Sequence, residues 1–251
     1  MKTIGLLGGM SWESSAAYYK TINEEVARRL GGLHSARSIM YSFNFQEIET
    51  LQSAGAWDVA TQRMIEGARS VELAGADLLL ICTNTMHMMA DEVQTNIDIP
   101  VIHIADATAR RIRDFGLRRV GLLGTRFTME MDFYPGRLRD RHGIDVVVPD
   151  RSDREIVDSI IYGELCRGLI RDSSRSTYRA IIERLVGDGA QGLVLGCTEI
   201  SLLVSQDDSP VPVFDTTRIH AQAGVDLALS EPHFDASFDS KRVDKVGRSH
   251  I

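Results

Sequence analysis

Two hydrophobic patterns alternate along the chain, and they predict alternating strands and helices. Short continuous runs of Val, Ile and Leu predict eight strands, roughly over 3–7, 38–43, 77–81, 100–103, 119–123, 144–148, 192–196 and 211–214. Apolar residues at helical spacing predict helices near 12–30, 56–74, 84–95, 105–115, 127–140, 153–169, 175–187 and 216–229. Continuous apolar strands that alternate with helices are typical of an α/β fold, in which helices cover both faces of a parallel sheet.

Two pairs of strand-end motifs recur in the two halves of the sequence. The matching segments are Ile4–Met10 with Val120–Thr125, and Leu78–Thr85 with Leu193–Glu199. Gly5 and Gly121 in the first pair are 116 positions apart. Cys82 and Cys197 in the second pair are 115 apart. Near-equal offsets in separate motifs indicate an internal duplication, and ligands of parallel sheets bind beyond the carboxyl ends of the strands. We therefore expect two pseudo-symmetric lobes, each a parallel sheet flanked by helices, with the active site in the cleft between them.

The lobe boundaries are predicted at two turns that contain proline. The predicted units are lobe 1 over 1–98 plus 211–230, lobe 2 over 99–210, and a tail over 231–251. The tail is polar, carries charge of both signs and lacks any hydrophobic period, so we expect it to be loosely ordered.

Composition and charge narrow the range of functions. Apolar residues make up 43% of the sequence and charged residues 25%, as in ordinary globular proteins. The net charge of −7 argues against a nucleic-acid partner, and no apolar run is long enough to cross a bilayer. We therefore expect a small-molecule partner and no membrane association. Three cysteines without a Cys-x-x-Cys motif favour a reducing cytoplasm over a disulfide framework.

The sequence also argues against a bound cofactor. No metal-ligand spacing occurs, so no metal is expected. Gly8-Gly9 after the first strand does not complete the dinucleotide motif Gly-x-Gly-x-x-Gly. Nothing marks a lysine that would form a Schiff base.

Small polar side chains follow several predicted strands, where they would meet at the cleft. Asn84, Thr85, Thr125 and Thr198 are hydrogen-bond donors that can hold a carboxylate. Cys197 can supply a thiolate base, since a turn from strand to helix can lower the pKa of a thiol. Proton removal from the α-carbon of an amino acid needs a base on one face, an acid on the other, and donors that stabilise the enolate. Two facing lobes can supply one reactive group to each face, which is the geometry that inverts a stereocentre.

These residues also have simpler interpretations. A cysteine at a strand end is more often a packing residue than a catalytic one, and Cys166, which is predicted in mid-helix, fits that interpretation. His87 is better explained as a capping or packing residue. For Cys197 the duplication favours a catalytic role, because it has a counterpart in the other half of the chain.

Six motifs in sequence order match one known family. They are Gly5–Ser14, Cys82–His87, His103–Thr108, Gly124–Glu130, Gly196–Ile200 and Pro212–Thr216. From Lys2 to about Ser230 the sequence resembles the aspartate/glutamate racemase superfamily, and within it the enterobacterial-type broad-specificity amino-acid racemases. The resemblance implies a cofactor-independent enzyme with two α/β lobes, an active site at their interface and a homodimeric assembly.

One departure from the family pattern concerns the first catalytic thiol. Two-base members carry Cys-Asn-Thr after the first long strand, whereas this chain reads Cys82-Thr-Asn-Thr85. Alignment on Asn84-Thr85 puts Thr83 at the catalytic position, while alignment on the internal repeat pairs Cys82 with Cys197. Successive residues of an extended segment point to opposite sides, so only one of Cys82 and Thr83 can face the substrate. We favour Thr83, because Asn84 and Thr85 should bind the same carboxylate in either alignment.

The resemblance assigns a different task to each lobe. Cys197 would remove the α-proton of an L-amino acid, and Thr83 would return a proton from the opposite face. A threonine hydroxyl can donate a proton but is a very poor base, so the enzyme should act mainly on L substrates.

Other positions carry over from the family with less regularity. Met10, Gln52 and Tyr162 match substrate-contacting positions. Glutamate racemases have a base-assisting histidine where this chain has Glu199. Aspartate-specific members have a lysine four positions after the tyrosine, where this chain has Cys166, and that change weakens recognition of a side-chain carboxylate.

The sequence therefore predicts racemisation of a small amino acid, either aspartate, glutamate or a homoserine-like substrate. One alternative is a decarboxylase or cis–trans isomerase of a small diacid with the same fold. The other is an amino-acid-binding protein without catalytic activity.

Overall fold

The computed structural model describes residues 1–230, and its eight strands are the eight that the hydrophobic pattern predicts. They are β1 Ile4–Gly8, β2 Ser38–Ser42, β3 Leu78–Ile81, β4 Val101–Ile102, β5 Arg119–Gly124, β6 Asp145–Val147, β7 Leu193–Gly196 and β8 Val213–Asp215. All neighbouring strands pair in parallel. The expected α/β class is confirmed. The tail predicted over 231–251 lies outside the described residues.

Helices connect the strands and cover the sheets. They are α1 Trp12–Leu30, α2 Phe45–Ser53, α3 Trp57–Leu73, α4 Ala90–Gln94, α5 Ile104–Asp114, α6 Arg126–Glu130, α7 Pro135–His142, α8 Arg151–Gly163, α9 Asp172–Gly187, α10 Ile200–Leu203 and α11 Thr216–Leu229. Short 3₁₀ turns lie at Thr85–Met89, Leu165–Arg167 and Gln206–Asp208.

Several helical segments differ from the prediction. The predicted helix over 153–169 ends at Gly163, and a 3₁₀ turn follows at Leu165–Arg167. The structure has a helix α2 that the sequence pattern does not predict, because only Ile48 and Gln52 of its nine residues are buried. The predicted helix over 127–140 is two helices, α6 and α7, with Pro135 in the first turn of the second. The predicted helix over 84–95 begins as a 3₁₀ turn.

The two sheets have the same topology. Sheet 1 has the strand order β2-β1-β3-β4, and sheet 2 has the order β6-β5-β7-β8. Numbered from its own first strand, each sheet therefore runs 2-1-3-4. This correspondence agrees with the two-lobed architecture that the repeated motifs predict.

The lobe boundaries differ from the predicted ones by one strand each. Strand β4 pairs with β3 in sheet 1, although the predicted boundary at 99 assigns it to lobe 2. Strand β8 pairs with β7 in sheet 2, although the predicted boundary at 211 assigns it to lobe 1. The chain crosses between lobes after each of these strands, at His103 and Asp215, which cap helices α5 and α11. The prolines lie in turns before these two strands, whereas the chain crosses between the lobes after the strands.

Helix α11, the last helix within the described residues, completes lobe 1. Its Ala221, Val225 and Ala228 pack with Tyr18 and Ile22 of α1 and with β1 and β3 in one apolar core. None of the helices within residues 1–230 has the length and hydrophobicity of a membrane-spanning segment.

Gly224 allows α11 to lie close to sheet 1. A Cβ atom at this position would lie 2.7 Å from Leu80 Cδ1, inside the apolar core. We therefore predict that Gly224→Val lowers the free energy of unfolding by about 1–3 kcal/mol, as overpacking of a core does. Denaturant unfolding measures this change.

Gly163→Val is the matched control. Gly163 is an exposed residue at the end of α8, and a Cβ atom there would meet nothing within 4 Å. We expect its stability to stay within about 0.5 kcal/mol of the parent protein. Equal losses in both variants would show that the α11 contact does not limit stability.

Candidate active site

One cavity lies where the carboxyl ends of the two sheets face each other. The ten residues that the sequence singles out all line it: Met10, Gln52, Thr83, Asn84, Thr85, Thr125, Tyr162, Cys197, Thr198 and Glu199. Four further lining residues are Phe45, Ile161, Cys166 and Gly196. The cavity volume is about 30 Å³, which is room for a few water molecules at most.

Most of these residues lie in the segments that follow the four central strands. The segments that follow β1, β3, β5 and β7 enter the cavity wall directly, because parallel strands bring their carboxyl ends to one edge of each sheet. Gln52 comes from α2 and Tyr162 from α8, one helix of each lobe. Gln52 is buried, and its amide donates a hydrogen bond to the Met86 sulfur at 3.0 Å.

Strand pairing decides which residue corresponds to Cys197. Ile81 pairs with Leu7 in sheet 1, and Leu195 pairs with Leu123 in sheet 2. Leu7 and Leu123 are equivalent, because the first pair of repeated motifs is offset by 116 positions. Ile81 therefore corresponds to Leu195, and Thr83, two residues further along, is the structural counterpart of Cys197. The second pair of repeated motifs is thus offset by 114 positions, not by the 115 that pairing Cys82 with Cys197 suggests.

Cys82 and Thr83 point to different environments. Cys82 is fully buried in the core of lobe 1, and burial raises the pKa of its thiol. Thr83 is partly exposed and lines the cavity. The alignment on Asn84-Thr85 is therefore the one that agrees with the structure.

Cys197 lies next to a buried carboxylate. Its Sγ donates a hydrogen bond to Glu199 Oε2 at 3.0 Å. Burial, and then the negative charge of Glu199, raise the pKa of the Cys197 thiol well above its ordinary value. The expectation that the strand-to-helix turn lowers this pKa is therefore wrong, because desolvation and a neighbouring anion both disfavour a thiolate. The site holds a neutral thiol whose proton faces a carboxylate that can accept it.

Two serines near the start of α1 connect this pair to lobe 1. Ser11 caps α1, and its hydroxyl donates a hydrogen bond to Glu199 Oε1. Ser14 shares a hydrogen bond of 2.8 Å with Thr198 and donates another to the Cys82 carbonyl. The sequence analysis did not single out these serines, although their Ser-x-x-Ser spacing at a predicted helix start was a usable signal.

Hydroxyl groups of the two lobes also meet at the cavity wall. The Oγ1 atoms of Thr85 and Thr125 are 3.2 Å apart, and this contact joins lobe 1 to lobe 2. Both hydroxyls line the cavity and can donate to an anionic group. Thr128, which is fully buried behind them, lies 3.2 Å from Thr125 Oγ1.

His87 is hydrogen-bonded to the backbone carbonyl of Thr83. Its Nδ1 lies 2.7 Å from the Thr83 carbonyl oxygen, and its Nε2 accepts a hydrogen bond from the Ile104 amide. A carbonyl only accepts and an amide N–H only donates, so the proton must lie on Nδ1. Burial lowers the pKa of His87 well below its ordinary value, which keeps the ring neutral. The packing role that the sequence suggests thus includes a hydrogen bond to the cavity wall.

The cavity wall carries little charge. Of the described residues that line it, none is a lysine or arginine, and Glu199 is the one with a carboxylate. Cys166 lies on a 3₁₀ turn and not in mid-helix, and it lines the cavity close to Tyr162. Within residues 1–230, no cluster of three or more His, Cys, Asp or Glu side chains is arranged to hold a metal ion.

Comparisons with known proteins agree on one family. A family model for Asp/Glu/hydantoin racemases matches residues 7–224. The crystal structure of a candidate Asp/Glu racemase from Yersinia pestis is 53% identical, with a TM-score of 0.87, and the match covers 92% of this chain and 100% of that one. An aspartate racemase homologue from Pyrococcus horikoshii OT3 is 36% identical, with a TM-score of 0.79 and coverage of 91% and 99%. The broad-specificity amino-acid racemase RacX of Bacillus subtilis is 22% identical over 176 residues, which are 69% of this chain and 74% of RacX.

The contact between Cys197 and Glu199 gives a prediction about the thiol. Glu199→Gln removes the negative charge beside Sγ, so the pKa of Cys197 should fall by at least about one unit. The measurement is a pH titration of thiolate ultraviolet absorbance, taken as the difference from Cys197→Ser in the same background.

Glu155→Gln is the control, because it makes the same chemical change at an exposed position on α8. It should leave the thiol titration unchanged. A Cys197 pKa that stays the same or rises in Glu199→Gln would mean that the carboxylate does not act on the thiol.

Proposed function

This chain belongs to the Asp/Glu/hydantoin racemase family, and we propose that it racemises a small amino acid without a cofactor. Cys197 removes the α-proton of the L substrate, and Thr83 protonates the opposite face. The main support is that two groups capable of proton transfer occupy equivalent positions on facing lobes and line the same cavity. The motifs are those of the broad-specificity members, and by the same resemblance we propose a homodimer, which sedimentation can test.

Glu199 takes up the proton that Cys197 must lose before it can act as a base. Glu199 Oε2 accepts the Sγ proton of Cys197, and the resulting thiolate takes the α-proton of the substrate. The electrons of the broken C–H bond pass into the enolate of the substrate carboxylate. The hydroxyl proton of Thr83 then bonds to the α-carbon on the other face. The enzyme resets when Glu199 loses its proton to solvent and Thr83 regains one from solvent.

The two lobes are unequal in this scheme. A thiol beside a carboxylate can become a base, whereas a threonine hydroxyl has no such partner at hydrogen-bond distance among the described residues. Removal of the α-proton from a D substrate by Thr83 is therefore slow. The equilibrium constant of racemisation is one, so kcat/KM must be equal in both directions. A lower kcat for the D substrate therefore comes with a KM that is lower by the same factor.

Deuterium exchange separates the two roles. In deuterium oxide with an L substrate, we expect Thr83→Ala to lower formation of the D product by about 10²–10⁴-fold, as loss of a general acid does. The same variant should still incorporate deuterium into the remaining L substrate, because Cys197 removes the proton and returns a deuteron to the same face. Chiral chromatography with mass spectrometry measures both products.

Two further variants complete this test. Cys82→Ala should keep D-product formation within a few-fold, because its thiol faces the core. Cys197→Ser should lose both D product and exchange. A Thr83→Ala enzyme that loses exchange as well would contradict the assignment of one residue to each face. A parent protein that binds amino acids without exchange or D product would be a binding protein.

The lack of cationic side chains in the cavity wall also predicts the preferred side chain of the substrate. Within residues 1–230, no lysine or arginine lines the cavity to pair with a side-chain carboxylate, and Glu199 would repel one. We expect kcat/KM for L-homoserine to exceed that for L-aspartate and L-glutamate by about tenfold or more, since a buried charge without a partner is costly. Initial rates on the three substrates measure this ratio.

Cys166→Lys tests the cause of that preference. It places a cation where aspartate-specific family members carry one, so the ratio should shift toward L-aspartate. Cys166→Met is the control, because it is a long side chain without charge. Equal shifts in both variants would attribute the preference to shape and not to charge.

A further inference from the structure

Three buried histidines surround the point where the chain crosses from lobe 1 to lobe 2, and we call them the histidine cluster. His103 caps helix α5 at this crossing, His87 lies on the 3₁₀ turn after β3, and His220 lies on α11. The ring centroid of His87 is 4.7 Å from that of His103 and 5.3 Å from that of His220. None of the three lines the cavity, so the proton transfers proposed above do not use them.

Two rings of the histidine cluster hold the crossing segment from both sides. His220 Nε2 lies 2.7 Å from the carbonyl oxygen of Ile102, the last residue of β4, and therefore carries a proton. Its Nδ1 then accepts from the Tyr18 hydroxyl at 2.8 Å. His87 Nε2 accepts from the amide of Ile104, the first residue of α5, at 3.2 Å. The two rings are thus opposite tautomers, each fixed by the backbone group that it meets.

His87 extends this arrangement to the cavity wall. Thr83 lies between the end of β3 at Ile81 and the 3₁₀ turn that begins at Thr85, so strand pairing does not fix its backbone. The protonated Nδ1 of His87 donates to the Thr83 carbonyl oxygen at 2.7 Å. Burial lowers the pKa of all three rings of the histidine cluster, which therefore stay neutral and keep their tautomers.

The backbone position of Thr83 decides where its hydroxyl lies. One rotatable bond separates Oγ1 from the backbone, and the branched side chain is stiff about that bond. A group that transfers a proton must lie within reach of the reacting atom. A displacement of about 1 Å can cost about 10²-fold in rate, so a contact that fixes this carbonyl also fixes the proton donor.

We propose that His87 is a positioning residue for Thr83: it ties the Thr83 carbonyl to the first residue of α5 and so holds the hydroxyl where it protonates the α-carbon. This inference rests on the proposed racemase function. It predicts an effect on one face of the substrate only, because Cys197 follows a strand of lobe 2 and is hydrogen-bonded to Glu199. Loss of the His87 contact should impair proton return by Thr83 and spare proton removal by Cys197.

Two carboxamide variants separate the two hydrogen bonds of His87. In His87→Asn the amide reaches the place of Nδ1 and can donate to Thr83, but nothing replaces Nε2. In His87→Gln the longer side chain reaches the place of Nε2 and can accept from Ile104, but the donor to Thr83 is lost. The measured quantity is the ratio of D product to deuterium incorporated into the remaining L substrate. The substrates are L-homoserine, L-aspartate and L-glutamate in deuterium oxide.

The expected ranking differs from the one that packing alone predicts. We expect His87→Gln to lower this ratio by about tenfold or more, and His87→Asn to keep it within about threefold of the parent. Glutamine is closer to histidine in size than asparagine is, so a role in packing would favour His87→Gln. His220→Gln is the matched control, because it makes the same change in the histidine cluster. It should leave the ratio unchanged, even where it lowers stability.

Three results would overturn the positioning role. The first is an equal ratio in the two His87 variants, and the second is a fall in His220→Gln as large as that in His87→Gln. Nitrogen NMR of the parent protein supplies a further measurement should the variants fail to fold, since it reports the His87 tautomer directly. A His87 ring with its proton on Nε2 is the third result.

The outcome is separable from that of the proposed function. A parent enzyme that forms D product, with equal ratios in both His87 variants, refutes the positioning role alone. A parent protein that forms no D product from any of the three substrates refutes the racemase function and the positioning role together.

Discussion

The Glu199 carboxylate accepts one hydrogen bond from each lobe, and the chemistry of the cavity depends on that arrangement. Ser11, the residue that caps α1, donates one of these bonds, and Cys197, which follows β7, donates the other. The nineteen-residue helix α1 begins at this point, so the positive end of its dipole faces the carboxylate. A buried carboxylate needs hydrogen-bond donors, and the two donors to Glu199 come from different lobes.

Several contacts join the two lobes beside the cavity. Trp57 of lobe 1 and Phe127 of lobe 2 meet edge to face with ring centroids 5.3 Å apart. The Ser11 hydroxyl of lobe 1 is hydrogen-bonded to Glu199 of lobe 2. Residues that line the cavity therefore also hold the lobes together.

The sequence is most informative where local pattern and structure coincide. The strands are continuous apolar runs, and the polar residues that follow them meet because parallel strands end at one edge. Helix α2 has too few buried positions to show a period. The pairing of Cys82 with Cys197 fails because the two halves differ in length between strands, and strand pairing shows this difference directly. The hydrogen bond between His220 and Ile102 joins residues 118 positions apart, and no local pattern encodes that contact.

Helix α11 has a consequence for the order in which the protein is made. The strands of sheet 1 all lie before residue 103, yet Ala221, Val225 and Ala228 supply part of the core against them. During translation, the N-terminal half therefore exposes an apolar surface until the last helix leaves the ribosome. All strands of lobe 2 and most of its helices lie in one continuous stretch of sequence, from α5 to β8. The nascent chain can thus complete the second lobe before the first, and the unfinished first lobe is the part that a chaperone would need to protect.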